Sequence, residues 1–206
     1  MTPRLWAMGL GLALVNLQTG CALTSKAEAL SPRYFSPEQP PLSVASPLEK
    51  DLALRLDEVA SAQYLDERIS YRLSGSEVGF YDNRRWTEVP EAYLRRALER
   101  ELFERRGLQR VVTGSGPSLS VELTAFEEIR GEPTRARVTL IFNLRDERGS
   151  LIDKTLTLER ELIAPKGADA EQRLATTLAA TLADAVARVG TEVVQKLKRA
   201  KEGAEL

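Results

Sequence analysis

The stretch VTLIFNLRDERGSLIDKTLTLE, residues 138–159, decides the fold. Apolar and polar residues alternate at both of its ends, and the turn signal DERG at residues 146–149 separates the two runs. This alternation is typical of half-buried β-strands, and a polar turn with glycine joins such strands into a hairpin. Residues 119–124 alternate in the same way, and a second turn signal follows at residues 130–133. The sequence therefore predicts an antiparallel meander of three strands with one packed face and one wetter face.

Further strands are predicted on the N-terminal side of the meander. Leucine occupies every second position within residues 51–57, which is the period of a half-buried strand. Residues 68–72 and 77–81 lie on either side of Ser74-Gly75-Ser76, and together they predict a hairpin.

A first helix is predicted over residues 90–106, where leucine recurs every fourth residue. Pro90 suits the first helical turn, and Gly107 suits the position just beyond the end. Charged residues cover much of the remaining surface of this helix. We interpret that charged face as solvated, and a binding surface is the less favoured alternative.

A second helix is predicted over residues 170–199, and Asp169 with Gln172 resembles a capping box at its start. Its apolar stripe consists of Leu174, Leu178, Leu182, Val186, Val189, Val193 and Leu197. This spacing follows one face of a helix. Packing of the stripe onto the sheet is favoured over a membrane-active helix.

Both predicted helices and the predicted sheet have one apolar face. An α/β two-layer sandwich buries these faces, with a mixed or antiparallel sheet and the two helices packed on one side. Residues 48–206 are predicted to form this single domain. Hydrophobic residues make up 43% of the chain, which is ordinary for a globular protein.

The N-terminal residues predict export and a lipid anchor. A short basic start and an apolar run within residues 1–20 are typical of a secretory signal peptide. Thr19-Gly20-Cys21 fits the lipobox of bacterial lipoproteins, whereas Gln18 departs from it. We therefore expect Cys21 to be acylated; an incidental cysteine in a plain signal peptide is the alternative. Ala22 stands where an aspartate would favour the inner membrane, so the periplasmic face of the outer membrane is expected.

Residues 21–47 are predicted to form a tether, because prolines, serines and alanines dominate them. Arg33-Tyr34-Phe35-Ser36 is the apolar exception and predicts a short edge strand.

Composition excludes several kinds of chemistry. The net charge of −1 gives no basic footprint for nucleic acid. The chain contains no histidine, which rules out Ser-His-Asp and Cys-His catalysis and ordinary zinc catalysis. No metal or cofactor is expected, and the protein is predicted not to be an enzyme. Hydrolysis by two carboxylates stays formally open, but no spacing singles out a pair.

Short runs in the N-terminal half resemble one family, the ABC-type transport auxiliary lipoprotein components. They are Leu54-Arg55-Leu56-Asp57-Glu58-Val59, Gln63-Tyr64-Leu65-Asp66, Ile69-Ser70-Tyr71-Arg72 and Phe80-Tyr81-Asp82-Asn83-Arg84-Arg85-Trp86, followed by Pro90, Leu102-Phe103 and Val111-Val112. The resemblance covers almost all of the mature chain and rests on order and spacing. The imperfect lipobox is the main departure from the family.

The resemblance implies a non-enzymatic envelope lipoprotein. Such proteins accompany a mammalian-cell-entry (MCE) domain protein and an ABC permease and ATPase that move lipid between the inner and outer membranes. The chain has neither a P-loop lysine motif nor a spanning segment after the signal, so it is predicted to be neither the ATPase nor the permease. A second copy of the chain is a further candidate partner. A lipoprotein assembly factor for an outer-membrane machine is the alternative function.

The candidate partner-binding residues are Tyr81, Arg84, Arg85 and Trp86. Aromatic residues and arginine are enriched at interface centres. Tyr81 and Trp86 equally suit a structural role between the hairpin and the first helix, and that role is favoured. Arg84 and Arg85 suit phospholipid headgroups or plain solvent.

Overall fold

The computed structural model describes residues 31–37, 48–73, 75–163 and 170–203. These residues form eight strands and two helices. The strands are β1 Arg33–Phe35, β2 Ala53–Ser61, β3 Arg68–Arg72, β4 Val78–Trp86, β5 Gln109–Arg110, β6 Ser118–Ile129, β7 Arg135–Asp146 and β8 Gly149–Glu161, and the helices are α1 Pro90–Glu99 and α2 Ala170–Glu202.

Strand β6 is the centre of the mixed sheet. One of its edges pairs antiparallel with β7, which in turn pairs with β8, so the predicted meander is confirmed. Its other edge pairs in parallel with β2 over the first half of its length and with β3 over the second half. Strand β5 extends the sheet beyond β2, and β4 and then β1 extend it beyond β3. Strands β1 and β8 therefore lie at opposite edges.

The hairpin predicted around residues 74–76 is confirmed as β3 and β4, and β4 continues further than expected, to Trp86. The short edge strand predicted within the tether is also present, as β1. It pairs in parallel with β4, and the folded unit accordingly begins at Ser31. The described residues do not include the predicted signal peptide or the rest of the predicted tether, which are residues 1–20, 21–30 and 38–47. Cys21 is among them.

Helix α1 begins at Pro90, as predicted, but the α-helical winding ends at Glu99, before the predicted end at residue 106. Residues Arg100–Arg105 form a π-helical segment, in which the Arg106 amide donates to the Glu101 carbonyl at 3.1 Å. The segment ends at Arg105, and Gly107 lies just beyond it with a φ of 73°, which suits a residue without a β-carbon. The wider winding places the Glu101 carboxylate beside both Arg105 and Arg106.

Helix α2 buries the whole predicted stripe against the sheet, from Leu174 to Leu197. Helix α1 packs beside α2 on the same side, against β2 and β6. On that side, β7 contributes Val138, Leu140, Phe142 and Leu144 to the core. The other face of the sheet carries no helix among the described residues, and we call it the open face. The predicted α/β two-layer sandwich with both helices on one face is confirmed.

Asp169 of the predicted capping box lies outside the described residues. A search of the described helices for a long apolar stretch finds none of the length and hydropathy that a membrane span requires.

Candidate partner-contact site

The four predicted contact residues all lie on β4, but they do not share one face. Trp86 pairs with the buried Phe35 and therefore points toward the helices, whereas Arg85 pairs with Tyr34 and points to the open face. Phe80 pairs with Ser70, but Arg85 pairs with Arg68, so β4 carries an irregularity between these positions. This bulge brings Tyr81 and Arg84 onto the same side as Trp86.

Trp86 is a core residue. Its side chain is 1% exposed and stacks on Phe126, with ring centroids 4.9 Å apart and planes inclined by 24°. Tyr93 of α1 meets the indole edge-on at 6.1 Å. Trp86 therefore joins the hairpin to α1 and to β6, and its burial fits the structural role that is favoured from the sequence over a contact with a partner.

Tyr81 and Arg84 form a stacked cluster with Tyr71 and Arg130, which we call the aromatic–arginine cluster. The guanidinium of Arg84 lies 3.9 Å from the centre of the Tyr81 ring, and that of Arg130 lies 3.4 Å from the centre of the Tyr71 ring. The two tyrosine rings meet edge-on at 5.1 Å. Such guanidinium–aromatic stacks are attractive, and the rigid rings hold the arginines in fixed orientations.

Two carboxylates complete the cluster. Glu128 of β6 accepts a hydrogen bond from the Tyr81 hydroxyl and lies 3.3 Å from Arg130 Nε. Glu171, in the first turn of α2, lies 3.2 Å from Arg84 Nε as an ion pair without hydrogen-bond alignment. Glu171 also pairs with Arg33 of β1 at 2.6 Å. The cluster thus joins β1, β4, β6 and α2 at one end of the sandwich.

Burial and hydrogen bonding within the cluster affect the protonation of Tyr81. Burial raises the pKa of the Tyr81 hydroxyl, and its hydrogen bond to Glu128 raises that pKa further. Tyr81 therefore stays a neutral hydrogen-bond donor near pH 7. The cluster presents planar cationic and aromatic groups, and Arg84 keeps 19% of its side-chain surface exposed.

A second charged group occupies the open face and was not predicted from the sequence. Glu127 of β6 is fully buried and forms ion pairs with Arg72 of β3, at 2.9 Å, and with Arg137 of β7. Beside it, burial raises the pKa of Tyr64, and the charge of Glu127 raises it further. The only signal in the sequence is an acidic residue directly after the apolar run that ends at Phe126.

A third group lies where the π-helical segment contacts α2. Glu101 pairs with Arg106, which also donates to the Ala187 carbonyl and to Thr191 of α2. Gly190 makes room for this pair, since a β-carbon there would stand 2.8 Å from Glu101 Oε1. The arrangement ties the two helices together.

Two of the grooves among the described residues are open to solvent. One, of about 480 Å³, runs between β8 and α2 and includes Asp153, Lys154 and Glu192. Lys154 and Glu192 pair there at 2.6 Å. The other, of about 290 Å³, lies at the end of α2 beside the β7–β8 turn. Among the described residues, no group of three or more metal-ligating side chains is assembled.

Comparison with known proteins agrees with the family resemblance seen in the sequence. The family model described as "ABC-type transport auxiliary lipoprotein component" matches residues 35–195, from β1 to the last third of α2. A Xanthomonas campestris protein of family DUF330 superposes with a TM-score of 0.68 at 15% identity, over 82% of this chain and 99% of that one. A second solved structure, of an uncharacterized protein, gives 0.62 at 18% identity, over 79% and 99%. No curated protein shows significant sequence similarity to the chain.

Proposed function

The chain belongs to the ABC-type transport auxiliary lipoprotein components, and on that premise we propose that it is a non-enzymatic envelope lipoprotein of an ABC/MCE-type lipid transport system. Its partners in this proposal are an MCE-domain protein and the associated ABC permease and ATPase, and the lipid moves between the inner and outer membranes. The observation that carries the proposal is the family match, which extends over nearly the whole described fold.

The proposed anchor is Cys21, acylated after removal of residues 1–20. Several acyl chains hold a protein on a bilayer stably, at about 0.8 kcal/mol per buried methylene. The proposed location is the periplasmic face of the outer membrane. A tethered domain has a high local concentration near its partner, so the contact with that partner can be weak and still be occupied.

The aromatic–arginine cluster is the proposed partner contact, with Tyr81 and Arg84 at its centre. Their stacking and ion pairs hold the planar groups in place before binding, which lowers the entropic cost of ordering them in a complex. Arg85 points to the open face and does not belong to this cluster.

Co-purification from membranes tests this proposal. The full-length protein is expected to bring down an MCE-domain protein, identified by mass. Arg84→Ala is expected to weaken this association while Arg148→Ala, in the exposed β7–β8 turn, leaves it unchanged. Circular dichroism melts of both variants confirm that they are folded.

Two results would count against the proposal. If both variants still bring down the partner, the cluster is not part of the contact. Absence of any MCE-domain partner, together with an unchanged envelope lipid composition after gene deletion, would overturn the transport function. Recovery of an outer-membrane assembly machine instead would favour the alternative function.

A further inference from the structure

Strand β1 fastens the N-terminal part of the folded unit to one edge of the sheet. Its Phe35 side chain is 5% exposed and lies in the core beside Trp86. The Thr87 amide donates to the Phe35 carbonyl at 2.9 Å, and Arg33 pairs with Glu171. The strand is therefore held by packing, by the backbone and by charge, although it has three residues only.

This attachment limits the distance between the folded unit and its anchor. The step from Cys21 to Arg33 spans at most about 40 Å of extended chain, at about 3.4 Å per residue. If the fold began at Leu48, the same calculation would allow roughly 90 Å. The limit rests on the proposed acylation of Cys21. With that anchor in place, β1 lies within about 40 Å of the membrane surface, so the edge formed by β1, β4 and β3 is within reach of the headgroups.

The open face of this edge carries a group of side chains that suits a phospholipid headgroup layer. Tyr34 is 59% exposed and lies beside Arg85, and Arg85 lies beside Arg68. The Arg85 side chain lies near the Asp66 carboxylate, whose pKa is lowered, against the effect of burial, by hydrogen bonds from Arg68 and by the charge of Arg85. Arg68 also stacks on the Phe80 ring at 4.3 Å. We call Tyr34, Arg68, Phe80 and Arg85 the edge patch.

We propose that the edge patch rests on the headgroups of the membrane that holds Cys21. Tyrosine and arginine are favoured at this depth, because the ring has an apolar body with a polar tip and the guanidinium pairs with phosphate in a forked geometry. Asp66, which binds Arg68 at 2.9 Å, and Asp82 make the charge of the region mixed. That mixture fits zwitterionic headgroups, which present a phosphate and an ammonium, better than it fits an acidic protein surface.

Fluorescence quenching in vesicles tests the edge patch. The acylated full-length protein carries Tyr34→Trp as a reporter, and the matched reporter is Thr155→Trp, an exposed position on β8 at the opposite edge. Trp86 gives a constant background, since it is buried. In vesicles that contain brominated phosphatidylethanolamine, the reporter at position 34 is expected to lose most of its emission, and the reporter at position 155 is expected to keep it. Equal emission of the two reporters would overturn the proposal.

Chain insertions test the role of β1 separately. A flexible Gly/Ser segment inserted after Ser25 lengthens the connection between Cys21 and β1, and it is expected to restore emission at position 34. The same segment inserted after Leu42 lies between β1 and β2, and it is expected to leave the quenching unchanged. An equal response to both insertions would show that β1 does not hold the domain near the membrane.

Failure of the edge patch and failure of the proposed function give different results. A protein that does not sediment with the vesicles lacks the anchor, which overturns both proposals. A protein that sediments without quenching at position 34 overturns the edge patch alone. Loss of the MCE-domain partner with normal quenching overturns the transport proposal alone.

Discussion

Gly79 lies directly under the ring of Tyr71, and a β-carbon at position 79 would stand 2.6 Å from Tyr71 Cε2. Alanine there would displace the ring from its stack with Arg130 and its edge contact with Tyr81. We expect Gly79→Ala to lower the free energy of unfolding by about 1–3 kcal/mol, measured by urea titration. Gly131→Ala is the control, because open space surrounds that position. Equal stability of the two variants would contradict the packing described here.

The buried carboxylate of Glu127 gives a second prediction. Glu127→Gln keeps the shape but removes the charge that balances Arg72 and Arg137. We expect the free energy of unfolding to fall by about 2–4 kcal/mol. This is less than the loss expected for a wholly buried pair, because both arginines reach water. Glu122→Gln changes an exposed glutamate on the same strand, and should alter stability by less than about 0.5 kcal/mol. Similar unfolding midpoints for both variants would mean that the ion pairs contribute little.

Leu182 tests the packing of α2 on the sheet. Its side chain is buried within the apolar stripe. Leu182→Ala should cost about 2–5 kcal/mol and lower the Tm clearly, because it leaves a cavity in the core. Gln195→Ala, on the exposed side of the same helix, should leave the Tm nearly unchanged. A normal melt for Leu182→Ala would indicate that the stripe is not in the core.

Alkaline pH should destabilise the fold through Tyr81. Burial and the hydrogen bond to Glu128 raise the pKa of its hydroxyl above the ordinary value near 10. The folded state thus keeps a proton that the unfolded chain releases, so this stabilisation is present below about pH 10 and is lost as the pH rises through the folded-state pKa. We expect the Tm to fall less steeply above about pH 9 in Tyr81→Phe than in the parent protein, by calorimetry. Parallel slopes would remove Tyr81 as the cause.

The sequence predicts well those strands and helices in which apolar residues recur at a regular spacing. The alternation at residues 138–144 and the stripe from Leu174 to Leu197 each report one buried face, and the structure buries both. Pro90 and Gly107 mark the ends of the first helical region through backbone constraints of their own. Such signals depend on neighbouring residues and need no knowledge of the rest of the chain.

The features that the sequence does not reveal depend on register between distant strands. Glu127 meets Arg72 and Arg137 only because β6 pairs with β3 and β7 at these positions. The sequence also does not show that Tyr81 and Arg84 share the side of the buried Trp86, because that arrangement depends on the bulge in β4. The pair between Glu101 and Arg106 likewise depends on a distant residue, because Gly190 of α2 leaves the space that it occupies.

The central position of β6 has a consequence for how the polypeptide matures. Strands β2 and β3 both pair in parallel with β6, which is made much later in synthesis. A chain that emerges N-terminus first must therefore carry the β3–β4 hairpin and the apolar side of β2 unpartnered until Ile129 has emerged. Contacts between distant segments form slowly, and unpaired strands are prone to associate with other chains in the meantime. We expect efficient maturation to require a holding chaperone that covers these strands until the meander is complete.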